Sequence, residues 1–452
     1  MRENPLHIPE IRSRISHLVS VNDAIACVRV SKAWNEDFAH PIWCTVDFDA
    51  HITFEDLNVK TVIKYGHHIN TIKNLTMQSQ LQLLLHPNVK NVRYLQMDCP
   101  NNARFKAQCS DLISNNSQSL QTLRIKMSNV ARHSDPSNRM ISVHAIVPDF
   151  SDSRLTLISF SGVCLSRNSF VYLLKRCPLL THVDLQSDVV LYSAPTIDSF
   201  QHPGVLTLAA PIRQVFIPDS QYDIPPIGLT LLMHFPNLVK WQCTNQLTAL
   251  SVPFGRIKAE VTMCCPKVSA IDTRMTPSPA LYSLLTDVFH NLTSVTIGYE
   301  QLSMDVIVAL LFHQATLQEV STTSENTQLG IEQDAVCRLG DTFRDQGRAL
   351  QLLPRGCANL TVLKLERHEM DMDYVEEKEW ACKGLEQLRV RIKGLDTKEK
   401  VDTAIRLWME GGIKRENSDE EQEKTIEARV ARYLLKFTEL KSVWLGTRTV
   451  NV

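Results

Sequence analysis

The sequence lacks the glycine-rich patterns that cradle phosphates. It has only 15 glycines in 452 residues, and none falls in a G-x-G-x-x-G or G-x-x-x-x-G-K-[ST] pattern. The metalloprotease pattern H-E-x-x-H and the nucleophile elbow G-x-S-x-G are missing as well. We therefore predict that the chain is not an enzyme and needs no cofactor.

An excess of charge of one sign is also missing. The chain has 48 basic and 49 acidic residues and a formal net charge of −1, whereas nucleic-acid-binding proteins normally carry a basic surplus. No apolar stretch approaches the ~20 residues that span a bilayer, and residues 1–5 precede no apolar run of a secretory signal. We expect no nucleic-acid partner, no membrane partner and no secretory signal.

The 12 cysteines form no C-x-x-C pair. They are scattered through apolar segments, which is typical of reduced thiols in a cytosolic or nuclear protein rather than of a disulfide framework. His67 and His68 have no companion ligands at fixed spacing, so a surface turn explains them better than a metal site. We predict a cytoplasmic or nuclear location and no metal.

The first 48 residues predict a small helical module. Pro9 fits the first position of a helix, where its missing N–H costs nothing. Ile11, Ile15 and Leu18 follow with helical spacing and predict an apolar stripe. A module of this size has a thin core and usually needs a partner surface to be stable.

A second helix is predicted after the first, so that the module would be a helical hairpin. Asn22 or Asp23 would cap this helix, Trp34 would lie in its core, and Pro41 would end it. On periodicity alone, the hairpin could equally be the capping end of a larger helical domain.

The same residues resemble the F-box motif position by position. The resemblance covers about residues 4–48 without gaps, and Ile8 and Ala24 depart from it mildly, since the family usually has Leu before the Pro and a bulky residue after the Asp. The matching positions are Ile8, Pro9, Glu10, Ile11, Ile15, Leu18, Asp23, Val30, Ser31, Lys32, Trp34, Pro41, Ile42 and Trp43.

The resemblance implies that the module docks on the Skp-type adaptor of a cullin–RING ubiquitin ligase. The chain would then be the substrate-recognition subunit of that ligase, holding a protein substrate without making or breaking bonds itself. The adaptor-binding residues implied by the resemblance are Ile8, Pro9, Ile11, Ile15, Leu18, Val30, Trp34 and Trp43.

Beyond residue 65 the chain repeats the phrase apolar-x-x-apolar-x-apolar, which is the strand signature of leucine-rich repeats. Successive instances between Leu155 and Leu317 start 24 to 32 residues apart, close to one strand plus one helix. The instances start at Ile72, Val92, Leu120, Leu155, Leu180, Ile212, Leu238, Val268, Leu292, Leu317, Leu360, Leu385 and Leu440.

A joint between helix and strand precedes many of these instances. Pro178, Pro236 and Pro266 each stand two residues before the first apolar position, and a proline just past a helix end favours the extended chain that follows. The spacing and the joints together predict leucine-rich repeats, with an α/β domain of alternating strands and helices as the alternative.

The predicted fold is α/β. An N-terminal all-α F-box module is followed by a curved leucine-rich-repeat solenoid with parallel strands on its concave face and helices on its convex face. The predicted domains are the F-box over 1–48, a linker or first irregular repeat over 49–68, and the solenoid over 69–452. A helical insertion with a charged loop is predicted at about 396–437.

The residues between the phrase positions should point outward onto the concave sheet, because side chains in a strand alternate. Near the C-terminus these outward residues form a basic row, which we interpret as a capture site for an acidic or phosphorylated segment of a substrate. The predicted substrate-binding residues are Lys364, Arg389, Arg391, Lys393 and Trp444.

Two other functions stay open. The chain could be a leucine-rich-repeat scaffold or adaptor protein that works outside any ligase. It could also be an unrecognised α/β enzyme, which would require a closed ligand pocket. The identity of the substrate is not predicted by the repeats.

Overall fold

The computed structural model divides the chain into two compact units, residues 1–208 and 209–452, and each unit is considered by itself. The structure describes residues 6, 8–49, 57–100, 102–127, 153–162, 164–185, 190–192, 200–210, 231–243, 254–273, 278–323, 346–411, 424–446 and 448–451.

The first unit begins with three helices rather than the predicted hairpin. Pro9 occupies the first turn of the first helix, as predicted. The predicted second helix is divided in two at residues 28–31 because Ser20 and Ser31, and not Asn22 or Asp23, cap the resulting helices by accepting backbone N–H bonds. The helices are α1 (Pro9–Ser16), α2 (Val21–Cys27) and α3 (Lys32–Trp43).

Pro41 does not end α3, contrary to the prediction. It lies in the last turn of that helix, where only one backbone hydrogen bond is lost. The N–H of Cys44 still bonds to the carbonyl of His40 at 2.8 Å, which completes the turn.

A parallel sheet follows directly from α3. Its strands pair in the order of the sequence, with β1 against β2 and each later strand against the one before it. Helices α4 (Val59–Tyr65), α5 (Gln78–Leu84), α6 (Ala103–Asn115) and α7 (Arg167–Arg176) alternate with these strands. The strands are β1 (Thr45–Asp47), β2 (Thr71–Leu75), β3 (Tyr94–Cys99), β4 (Thr122–Met127), β5 (Leu157–Ser161) and β7 (His182–Leu185), with a separate pair β6 (Cys164–Ser166) and β8 (Val190–Tyr192).

The apolar phrase aligns from strand to strand. Leu95 pairs with Leu123, Leu123 with Ile158, and Ile158 with Val183, so the second apolar position forms a continuous buried row. A residue between phrase positions therefore stands on the opposite face of the sheet, which we call the open face. This in-register parallel ladder is consistent with leucine-rich repeats.

The register of the first predicted repeat was wrong by three residues. Ile72 pairs with Leu95, so it takes the second apolar position, and the buried Ile69 takes the first. Asn74 has a left-handed backbone with φ of 54°, and the register shifts between Ile72 and Leu75. This local bulge explains why the later residues fit the phrase in the wrong frame.

The sequence analysis also missed one repeat. Val205 and Leu208 are fully buried, and the N–H of Leu206 bonds to the carbonyl of Thr181 at 2.9 Å. The strand is β9 (Thr207–Ala210). Pro203 stands two residues before Val205, as in the other joints, and was the available signal. The predicted start at Ile212 lies outside the described residues.

The second unit has the same alternation of parallel strands and helices. Its last two strands pair antiparallel, which the sequence analysis did not predict. The strands are β10 (Lys240–Cys243), β11 (Ala270–Asp272), β12 (Ser294–Gly298), β13 (Glu319–Thr323), β14 (Val362–Met370), β15 (Gln387–Ile392), β16 (Ser442–Leu445) and β17 (Arg448–Asn451). The helices are α8 (Phe254–Cys264), α9 (Ser278–Ser283), α10 (Met304–Leu311), α11 (Gln346–Gly356), α12 (Met372–Glu377), α13 (Lys398–Met409) and α14 (Ile426–Leu434).

The phrase aligns in this unit as well. Ile271, Val295, Val320, Leu363, Leu388 and Val443 follow one another in register from β11 to β16. Thr273 and Thr322 take the third apolar position and are each 1% exposed, so a threonine replaces an apolar residue there without leaving the core. The predicted helices of the insertion are α13 and α14, while most of its charged run (412–423) lies outside the described residues.

Candidate binding surfaces

Helix α1 turns a polar face toward the rest of the module. Arg12 and Ser16 are buried, with 7% and 2% of their surfaces exposed. The Nε of Arg12 lies 2.5 Å from Oδ2 of Asp37 on α3, and Nη1 donates to the carbonyl of Leu6 at 2.9 Å. The inner face of α1 is therefore held by a charged pair instead of apolar packing.

Several apolar side chains of the module are exposed. Leu18 is 85% exposed and Val30 is 63% exposed. Ile8 and Pro9 are exposed, while Ile11 and Ile15 are half-buried. Exposed apolar side chains on so small a module are typical of an interaction site.

The two tryptophans predicted to bind the adaptor are half-buried. Trp34 stacks on the fully buried Phe38, with ring centres 5.1 Å apart and planes 7° from parallel. Trp43 stacks on Tyr65 with ring centres 5.5 Å apart. Trp34 thus covers the core residue Phe38 rather than being the core residue that the sequence analysis expected.

A polar network covers the open face of the first unit. The amide of Asn74 donates to Asp47 at 2.8 Å, and that of Gln96 donates to Asn74 at 3.0 Å. The hydroxyl of Ser159 donates to Asp184 at 2.8 Å. Burial raises the pKa of the Asp184 carboxyl above its usual range, and the bond from Ser159 opposes that shift.

A cavity of about 300 Å³ lies on this face. Asp98 and Lys126 face it from neighbouring strands, next to Arg124 and Ser159. Oδ1 of Asp98 is buried and has no hydrogen-bond partner among the described residues. This cavity was not predicted from the sequence.

The predicted basic row of the second unit is brought together in part. Lys364 pairs in register with Arg389, and Arg389 pairs with Trp444. The guanidinium carbon of Arg389 lies 5.6 Å from the centre of the Trp444 ring. Burial alternates along β15, with Arg389 and Arg391 on the open face, so the predicted outward positions are those observed.

Part of this row is neutralised within the fold. Lys393 lies beyond β15, and its Nζ is 2.9 Å from Oδ2 of Asp371. Glu369 stands beside Arg391 in register. Glu376 on α12 binds Arg429 on α14. The C-terminal row therefore has less free positive charge than its sequence implies.

Within the described ranges, no group of three or more histidine, cysteine or acidic side chains could hold a metal ion. His67 lies in a short 3₁₀ turn (Gly66–His68) and is exposed, whereas His68 is half-buried. Nor is any helix of the described chain long and apolar enough to cross a bilayer.

No protein-family model matches this chain, and no curated protein matches it significantly. One similar solved structure is the leucine-rich repeat-containing protein LegL7 from Legionella pneumophila. It is 12% identical, the match covers 62% of this chain and 91% of that chain, and the TM-score is 0.34. A similarity this low carries no argument about function, and the repeat assignment here depends on the strand ladder.

Proposed function

We propose that this chain is the substrate-recognition subunit of a Skp–cullin–F-box type ubiquitin ligase. The helical module would bind the Skp-type adaptor, and the repeats would bind a protein substrate. The observation that carries the proposal is that α1 buries the Arg12–Asp37 pair, while Ile8 and Leu18 on either side of the helix are exposed.

The exposed apolar residues beside α1, and not its buried polar face, gain from a partner. Burying an ion pair is less favourable than burying apolar residues in the same space. Exposed apolar side chains contribute free energy only when another surface removes them from water, at about 25 cal/mol per Å². A module arranged in this way is suited to a permanent partner, and the F-box resemblance identifies the partner class as the Skp-type adaptor.

Co-purification tests the adaptor docking. We expect Leu18→Asp plus Val30→Asp to lose the adaptor and the cullin together, because a buried unpaired carboxylate is costly at an apolar interface. Both side chains are mostly exposed, so the variant should keep the thermal stability of the wild type. Met263→Asp changes a 75% exposed side chain of the second unit and should keep both partners.

The alternative function gives a different result in the same experiment. A scaffold that works outside any ligase would recover the adaptor without the cullin, or neither from the wild-type chain. Recovery of adaptor and cullin with the double variant at wild-type levels would reject docking through this surface.

The substrate-binding row is a second, separate part of the proposal. Lys364, Arg389 and Trp444 are adjacent on three strands, and Arg beside an aromatic ring is typical of binding hot spots. We expect Arg389→Glu plus Arg391→Glu to lose substrates that co-purify with the wild-type chain. Lys378→Glu plus Lys398→Glu makes the same change in charge at two exposed positions and should keep them.

The outcomes of this test are separable from those of the adaptor test. Retention of every substrate by the Arg389 and Arg391 variant would reject the row as the site, while the adaptor is still recovered. Quantitative proteomics of the proteins that accumulate on deletion of the chain would then identify candidates for the remaining surfaces.

A further inference from the structure

A second cavity, of about 640 Å³, lies in the first unit at the starts of its strands. Asn70, Arg93 and Gln121 stand at equivalent positions just before β2, β3 and β4. The N–H of Arg93 bonds to the carbonyl of Asn70 at 2.7 Å, and the N–H of Gln121 bonds to the carbonyl of Arg93 at 2.8 Å. The cavity therefore extends along the strand-start edge of the sheet, apart from the open face and its 300 Å³ cavity.

The lining of this cavity is basic and contains no carboxylate. Lys90 and Arg93 come from the repeat of β3, and Arg154 comes from the repeat of β5. Amide side chains from the repeat of β4 lie between them, namely Gln118 and Gln121. Because β3 and β5 are two strand spacings apart, the basic residues are spread over about 10 Å.

Several basic residues of the described chain are neutralised by a carboxylate within the fold. Lys393, Lys400 and Lys436 each form an ion pair with a carboxylate at 2.7 to 2.9 Å. Lys90, Arg93 and Arg154 form no ion pair and no side-chain hydrogen bond among the described residues. The chain as a whole has 48 basic and 49 acidic residues. A group of three cations without carboxylates beside them therefore favours an anionic ligand.

The opposite wall of the cavity is formed by His40 of α3 and by His67. Nε2 of His40 lies 3.3 Å from the amide nitrogen of Asn70, while Nδ1 of His40 is buried without a hydrogen-bond partner among the described residues. A ligand here would contact the helical module and four consecutive repeats at once.

We propose that this cavity binds a phosphomonoester. Arg93 and Arg154 would each donate two hydrogen bonds to phosphate oxygens, the geometry in which guanidinium binds phosphate most strongly. Lys90 would add a point charge, and the glutamine amides would donate to the remaining oxygens. The lining has no Phe, Tyr or Trp, the side chains on which bases mainly stack, and this disfavours single-stranded nucleic acid.

The phosphate could belong to a phosphorylated polypeptide segment or to a small phosphate compound, and the test separates the two. The probes are a short phosphoserine peptide, the same peptide with serine, inorganic phosphate and an unmodified oligonucleotide, each titrated calorimetrically into the full-length chain. Binding of the phosphopeptide well above that of inorganic phosphate indicates a polypeptide ligand. Equal binding of both indicates a small phosphate compound, and either result supports the site.

Charge reversal then locates the binding. We expect Arg93→Glu plus Arg154→Glu to weaken the binding of phosphate by more than about tenfold, which corresponds to about 1.4 kcal/mol. Both side chains are exposed, so folding should be unaffected, and Arg93→Gln plus Arg154→Gln provides a milder variant. Lys60→Glu plus Arg104→Glu makes the same change in charge at exposed positions outside the cavity and should bind as the wild type does.

The pKa of His40 is a second measurement, which distinguishes binding in this cavity from a general effect of charge. Burial is the main cause that lowers the pKa of His40 below its usual range, and the charges of His17 and Arg93 lower it further. A bound dianion would offset the charge of Arg93, so the pKa of His40 should rise when phosphate is added, as followed by the NMR signal of its ring. Binding that the Lys60 and Arg104 variant loses equally would overturn the proposal. An unchanged His40 pKa, failure of every probe to bind, or tighter binding of an unmodified oligonucleotide would also overturn it.

Discussion

At the scale of single residues, the Arg12–Asp37 pair decides how the helical module is held together. The side chain of Arg12 is 9% exposed and that of Asp37 is 20% exposed. Water therefore screens their attraction little, but each charge also depends on the other for its compensation. The pair fixes the orientation of α1. It thereby also determines which apolar residues of the module face the solvent.

Removing one partner of this pair should be costly. We expect Asp37→Ala to lower the free energy of unfolding of the module by about 3–5 kcal/mol, because it leaves a buried guanidinium uncompensated. The measurement is urea denaturation followed by circular dichroism. Replacing both partners, as Arg12→Met plus Asp37→Leu, should return the stability to about the wild-type value or above. A loss below about 1 kcal/mol for Asp37→Ala would show that solvent reaches Arg12 freely.

At the scale of elements, α3 joins the module to the sheet, and its aromatic residues Phe38 and Trp34 differ in burial. Phe38 is fully buried, whereas Trp34 covers it from outside as a half-buried ring. A ring that stays partly in water contributes its stacking energy and only part of its apolar transfer energy.

This difference predicts a contrast between two alanine variants. Phe38→Ala should cost about 3–5 kcal/mol through the cavity it leaves, whereas Trp34→Ala should cost about 1–2 kcal/mol. The second value is lower than a fully buried tryptophan would give. Both are measured as the shift of the urea midpoint, and equal losses for the two variants would contradict the observed burial.

The sequence predicted the strands of the sheet well, because their apolar positions are encoded locally. Val92, Leu95 and Met97 occupy the predicted positions and are fully buried. The prediction failed where local geometry changes the spacing, as at the left-handed Asn74. It failed again at Val205. There the small Ala210 takes the third phrase position, and the phrase that starts seven residues later, at Ile212, is the stronger apolar match.

The binding surfaces were harder to predict from the sequence. Periodicity identified the apolar stripe of α1, but it does not say whether that stripe faces the core or the solvent. The answer depends on Arg12 and Asp37, which are 25 residues apart and meet only in the folded chain. The cationic cavity likewise combines Lys90, Arg93 and Arg154 from different repeats, and no local pattern connects them.

At the scale of the whole molecule, several histidines of both units are kept neutral by burial. Burial lowers the pKa of His368 to about 4 and, with its neighbours His67 and His40, that of His68 to about 4. His313 donates from Nε2 to the carbonyl of Leu285 at 2.8 Å and accepts the N–H of Leu292 on Nδ1 at 3.4 Å. A proton on Nδ1 would break the second bond.

These histidines predict a loss of stability in acid. Their pKa values are depressed from 6.5 in the folded chain, so the unfolded chain binds more protons as the pH falls below that value. Their contribution to stability is therefore fully present above 6.5 and is lost as the pH falls toward 4. The urea midpoint should be lower near pH 5 than near pH 7.

A matched variant tests the origin of this pH dependence. His368→Gln removes a titrating group that is 1% exposed, so the urea midpoint of this variant should change less with pH than that of the wild type. An unchanged or higher midpoint of the wild type in acid would show that other groups dominate.

Along β3, β4 and β15, residues that pack in the core alternate with residues that could face a ligand. Each of these strands buries every second side chain and leaves the intervening ones on the open face. Substitutions at the open positions can therefore accumulate over evolution without disturbing the packing beneath them. A lineage could retarget this protein to a new ligand while inheriting its scaffold intact, and a deep mutational scan should show tolerance that rises and falls with every second residue.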